Sequence, residues 1–150
     1  MIALVRALRA EALKLKQPWL LRSVLGENAN LDLFNSLVAN WRMLFLWLAA
    51  AWTLAAFVEE MVYRGYILNR VADLFEGTSS GLWVGVLANS VLFGIAHSYQ
   101  GIVGALRSLI FGLVISGIYA TNTRNIWVCM LFHGVFDTIG IISIFLGVNL

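Results

Sequence analysis

Glu59 and Glu60 follow sixteen residues, 43–58, whose only polar side chain is Thr53. Arg64 comes four positions after the second glutamate. Both histidines of the chain also lie in apolar stretches. His97 ends Phe93-Gly94-Ile95-Ala96-His97, and His133 opens His133-Gly134-Val135-Phe136-Asp137. An ionisable group at such depth costs roughly 2.5–3.5 kcal/mol on insertion scales. A sequence that keeps six of them uses them together.

Spacing indicates which of them can act as sets. On a helix, residues four apart share a face, so Glu60 pairs with Arg64, Phe93 with His97, and His133 with Asp137. Glu59 points about 100° away from Glu60 around the same helix. One glutamate can then be neutralised by Arg64 while the other faces a cavity. Asn89, eight residues before His97, could join the histidine's face as a hydrogen-bond donor. Two schemes use these residue types. A carboxylate in an apolar pocket is a competent base near neutral pH, an adjacent imidazole shares the proton of an attacking water, and a second imidazole with a donor holds the oxyanion of a cleaved amide. Alternatively, Glu59, His97, His133 and Asp137 could ligate Zn²⁺ or another divalent metal, which brings bound water toward hydroxide at about pH 7.

The positioning elements are membrane helices. Of 150 residues, 61% are hydrophobic and 12% charged, against about 25% charged in soluble domains. Mean hydropathy is +0.85. The length allows one domain, residues 1–150, read as an all-α polytopic bundle of about four spans plus an N-terminal amphipathic helix. Residues 1–40 supply that helix, over 2–16, and a polar loop over 26–40; residues 41–150 form the helical core. Pro18 ends the first helix, and nothing in residues 1–17 resembles a cleavable signal. The apolar blocks are 43–58 (continuing as helix to about Phe75), 82–96, 102–120 and 126–148. The first two reach the roughly 20 residues of a span only by including their polar motif residues. Gly81, Gly85, Gly94, Gly104, Gly112, Ser116 and Gly117 would allow close helix approach. Arginines and lysines ahead of the first span place the N-terminus in the cytoplasm, and a bacterial inner membrane is the expected location. Net charge of +2 gives no reason to expect nucleic acid.

Other motifs carry less. Gly77-Thr78-Ser79-Ser80-Gly81 fits G-x-S-x-G formally but joins two helices instead of a strand and a helix. Cys129 is a small core residue. Arg107, inside the third block, could snorkel, pair with a buried carboxylate or grip a substrate carboxylate. HExxH and CxxC patterns are absent.

Glu-Glu-x-x-x-Arg (Glu59, Glu60, Arg64), Phe-x-x-x-His (Phe93, His97) and His-x-x-x-Asp (His133, Asp137), in that order and each in an apolar helix, resemble the CAAX-processing and bacteriocin-processing (CPBP) intramembrane proteases. That family includes the type II CAAX prenyl endopeptidases. The resemblance implies an intramembrane endopeptidase, with or without a metal's assistance, in which Glu59 and His97 activate water. It implies that His133 and Asp137 form the oxyanion site or complete a metal site, with Glu60 and Arg64 in support. It implies a membrane-proximal substrate: a lipidated CAAX-like tail, a bacteriocin leader or a sorting tail. Eukaryotic prenyl endopeptidases resemble one another in carrying Asn where this chain has Asp137, and typical members have more helices ahead of the glutamates. A homo-oligomer or a partner subunit is therefore part of the expectation. The competing readings are a non-catalytic membrane scaffold of the same fold and a proton-relaying transporter, the latter disfavoured by four spans without an inverted repeat.

Overall fold

The computed structural model describes residues 36–147. The amphipathic helix expected at 2–16 and most of the polar loop at 26–40 lie outside that range. Four long helices make up the described chain, with no strand among the described residues. They are α1 (Trp41–Asp73), α2 (Ser79–Ala96), α3 (Gly101–Thr121) and α4 (Ile126–Phe145). A single turn of 3₁₀ helix, Ser98–Gln100, joins α2 to α3. All four are long and apolar enough to cross a bilayer, and the protein is an integral membrane protein.

The helix starts are set by side chains that cap orphan backbone donors. Asn40 accepts from Met43 N at 3.3 Å, Thr78 from Gly81 N at 3.1 Å, and Asn125 from Trp127 N at 3.0 Å. Between α1 and α2, Glu76 and Gly77 take positive φ and reverse the chain. The loop segment read as G-x-S-x-G is thus a turn and a helix cap. As expected from its uninterrupted pattern, α1 continues through both glutamates. Over Ala51–Glu59 and Met61–Leu68 its hydrogen bonding widens to the π pattern, which is uncommon and recurs at functional sites. Glu60, between those two stretches, keeps ordinary helical angles of −64° and −39°.

Small residues bring the helices together, as their spacing implied. A Cβ on Gly94 would stand 2.8 Å from Leu109 Cβ and 2.9 Å from Ala105 O, so α2 and α3 meet there backbone to backbone. Gly81, Gly85, Gly104, Gly112 and Ser116 are also buried. Gly117 differs, since nothing lies near where its side chain would be. The start of α1 meets the end of α4 through Ala39 N and Phe145 O (3.0 Å) and the rings of Trp41 and Phe145 (4.8 Å). Large side chains such as Phe45, Leu54, Ile110 and Leu131 remain exposed along the bundle. In water such patches would drive association; in a bilayer they are the lipid face.

Candidate active site

The site grows from one buried residue of α1. Glu60 is completely buried, as is Arg64 one turn later. Arg64 Nη1 donates to Glu60 Oε1 at 3.0 Å. Its Nε donates to Ser116 Oγ at 3.3 Å and its Nη2 to Gly112 O at 3.4 Å, both on α3. Its guanidinium also lies 4.9 Å from the centre of the Phe93 ring on α2. A planar cation with a fixed fork of donors suits such a junction, because it satisfies several acceptors at once. Asn89 Nδ2 donates to the same Ser116 Oγ at 2.9 Å. Asn89 therefore serves the arginine's acceptor and does not donate to His97, as its place in the sequence had suggested.

Glu60 has a second partner. His133 Nδ1, on α4, lies 2.7 Å from the same Oε1. A carboxylate only accepts, so the proton on this contact belongs to Nδ1 and His133 is the donor. That contact turns Nε2 toward Asp137, whose Oδ2 is 3.6 Å away. His133 is nearly buried and Asp137 keeps 29% of its side chain exposed. Phe111 of α3 packs against the imidazole with ring centres 4.9 Å apart.

His97 closes α2. Its Nδ1 donates to Phe93 O at 2.8 Å, one turn back, which leaves Nε2 as the nitrogen with a lone pair. The ring lies 4.4 Å from Phe93, and Tyr63 packs edge-on to Phe93 from α1 at 4.9 Å. Phe93, only 2% exposed, is thus the floor on which Tyr63, Arg64 and His97 rest. Sequence reasoning passed over Tyr63 and took Ser116 only as a small packing residue. Tyr63 had a signal, since it lies four residues after Glu59. Ser116 had none, because its partner Arg64 is 52 positions away.

Glu59 is half-buried and makes no hydrogen bond among the described residues. Its side chain lies near enough to His133, His97, Asp137 and Glu60 to interact electrostatically with each. Asp137 in turn feels His133, His97 and Glu60. The six residues singled out from the sequence therefore divide into two groups. Glu60 and Arg64 are locked into the bundle. Glu59, His97, His133 and Asp137 form the other group, with both Nε2 atoms and the Glu59 carboxylate unclaimed by hydrogen bonds.

They are not gathered as a metal centre. Among the described residues no three His, Cys, Asp or Glu side chains are grouped to hold an ion. The set Glu59, His97, His133 and Asp137, offered as ligands in the metal scheme, does not fit one.

Comparison with known proteins adds one finding. A family model described as type II CAAX prenyl endopeptidase Rce1-like matches residues 41–139. The match covers two thirds of the chain, from the first residue of α1 to beyond Asp137. No curated protein and no solved structure matches.

Proposed function

The chain belongs to the Rce1-like family of type II CAAX prenyl endopeptidases, and from that premise we propose that it hydrolyses a membrane-proximal peptide bond with a water activated by Glu59 and His97. The observation that carries this reading is the division between the two glutamates. Glu60 is spent on Arg64 and His133, whereas Glu59 has free oxygens within electrostatic reach of both imidazoles.

In the reaction so read, Glu59 takes a proton from water while His97 Nε2 accepts a hydrogen bond from the same water. The hydroxide formed attacks the substrate carbonyl carbon. The carbonyl oxygen becomes an oxyanion beside His133 and Asp137. His133 donates to Glu60 from Nδ1; a hydrogen on its Nε2 would point at that oxyanion, and a protonated Asp137 would add a second donor. Preorganised donors of this kind are worth about 10²–10³ in rate. Collapse of the intermediate breaks the C–N bond, and the proton held by Glu59 passes to the leaving amine. Water is consumed, and one acid and one amine are released.

The family's description favours a lipidated CAAX-like tail over a bacteriocin leader or a sorting tail. The cations ahead of α1 support a cytoplasmic N-terminus. The test is cleavage by the purified chain in phosphatidylcholine vesicles, with a prenylated C-a-a-X peptide and mass spectrometry of the products. Cleavage is expected from the natural sequence. A folded, reconstituted protein that leaves this peptide, a bacteriocin leader and a sorting tail all intact would favour the scaffold reading instead.

A further inference from the structure

The described cations other than Arg107 sit in ordinary places. Arg64 is buried against Glu60, Arg70 pairs with Asp73 at 3.3 Å, Arg42 lies at the head of α1, and Arg124 lies in the turn before α4. Arg107 is different. It stands six residues inside α3, exposed, with no hydrogen-bond or ion-pair partner among the described residues. An unpaired arginine inside an apolar span is costly and marks a place where an anion is met.

Its position on the helix says where that anion would lie. Leu106, Ile110 and Val114 face outward on α3, while Gly112 and Ser116 face the bundle. Arg107 and Phe111, four apart, share the strip between those two faces. Phe111 packs on His133 and, also at 4.9 Å, on Phe136 of α4. One helical turn, about 6 Å, separates Arg107 from Phe111 along the axis. Phe111 therefore links the strip that carries Arg107 to the His133 imidazole.

We infer that Arg107 receives the C-terminal carboxylate of the substrate, an inference that rests on the peptidase reading above. A C-a-a-X tail ends three residues past its lipidated cysteine. Extended chain covers about 3.3–3.6 Å per residue, so for a bond broken just after the cysteine the carboxylate lies about 10 Å from the reacting carbon. A guanidinium is well matched to a carboxylate because it donates two parallel hydrogen bonds. The site would then select a free chain end and fix how far from that end the cut falls.

The experiment measures binding without turnover. The Glu59→Gln protein, in phosphatidylcholine vesicles, is titrated with one prenylated C-a-a-X peptide made as the free acid and as the C-terminal amide. The acid is expected to bind about 10- to 100-fold more tightly, the range of a hydrogen bond to a charged group. Adding Arg107→Gln should bring the acid down to the amide, and Arg107→Lys should keep part of the preference. Equal binding of acid and amide, or a preference that survives Arg107→Gln, overturns the assignment. So does an Arg107→Gln effect that is the same on both peptides and appears only with anionic lipid, which would assign the residue to headgroups. If the natural sequence cleaves nothing while the acid preference holds, the peptidase reading fails and the carboxylate site stands.

Discussion

His133 Nδ1 and Arg64 Nη1 converge on a single oxygen, Glu60 Oε1, at 2.7 and 3.0 Å. Through that oxygen α1 fixes the imidazole of α4, and Nε2 is left facing Asp137. Removing one member of a buried charged pair costs about 3–5 kcal/mol because the remaining charge is stranded. Glu60→Gln is therefore expected to lower the thermal midpoint by about 5 °C or more and to reduce kcat together. Thermal unfolding in detergent checks this. A variant as stable as the natural protein would show that the shared oxygen does not hold the bundle.

Asp137 retains partial exposure and lies 3.6 Å from His133 Nε2. If its role is to donate to the oxyanion, a side chain that always donates should replace it. Asp137→Asn is expected to keep activity within about tenfold of the natural protein, whereas Asp137→Ala should lose about 10²–10³ in kcat. Steady-state kinetics of the two variants check it. Equal loss in both would mean that the negative charge, not hydrogen bonding, is what the site needs.

Much of this was legible beforehand. Four apolar blocks gave four helices, and i, i+4 spacing gave Glu60–Arg64, Phe93–His97 and His133–Asp137, because those pairings are made within one helix. Contacts between helices were not legible. That Glu60, and not Glu59, would hold His133 depends on how α1 is rotated against α4, and the widened turns over 51–68 alter that rotation without any Pro or Gly pattern to announce it. Asn89 shows the same limit. Its polarity was visible, but its partner Ser116 is on another helix. The acidic and imidazole residues also suited a metal as well as a water by type alone. The locked Nδ1 atoms suit either, since a ligating imidazole also donates its other ring N–H; what bears on a metal is how the side chains are grouped.

Because those side chains are not grouped around an ion, cleavage is expected to survive chelation. After incubation with EDTA or 1,10-phenanthroline and removal of the chelate, turnover should stay within about twofold of the untreated enzyme, whereas a zinc-bound water would lose its activation entirely. Loss of activity restored by added Zn²⁺ would contradict this and return the four residues to a ligand role.

The placement of His133 also depends on its neighbour in sequence. A Cβ on Gly134 would stand 2.7 Å from the Trp52 ring, and two more ring atoms lie within 3.0 Å. Trp52 is held in place by its Nε1 bond to Thr138 Oγ1 at 3.1 Å. The flat ring cannot yield easily, so Gly134→Ala should destabilise by about 1–3 kcal/mol, the usual range for overpacking. Combining it with Trp52→Leu should recover part of the loss. Additive destabilisation in the double variant would show that the two residues do not meet.

The most direct measurement is single-turnover cleavage of a prenylated tail peptide by the Glu59→Gln protein, with thermal unfolding followed on the same sample. A removed general base costs about 10²–10⁴ in rate, and Glu59 makes no bond that folding relies on. The account predicts a loss of that size with an unchanged midpoint. Cleavage at the natural rate by the folded variant would contradict it.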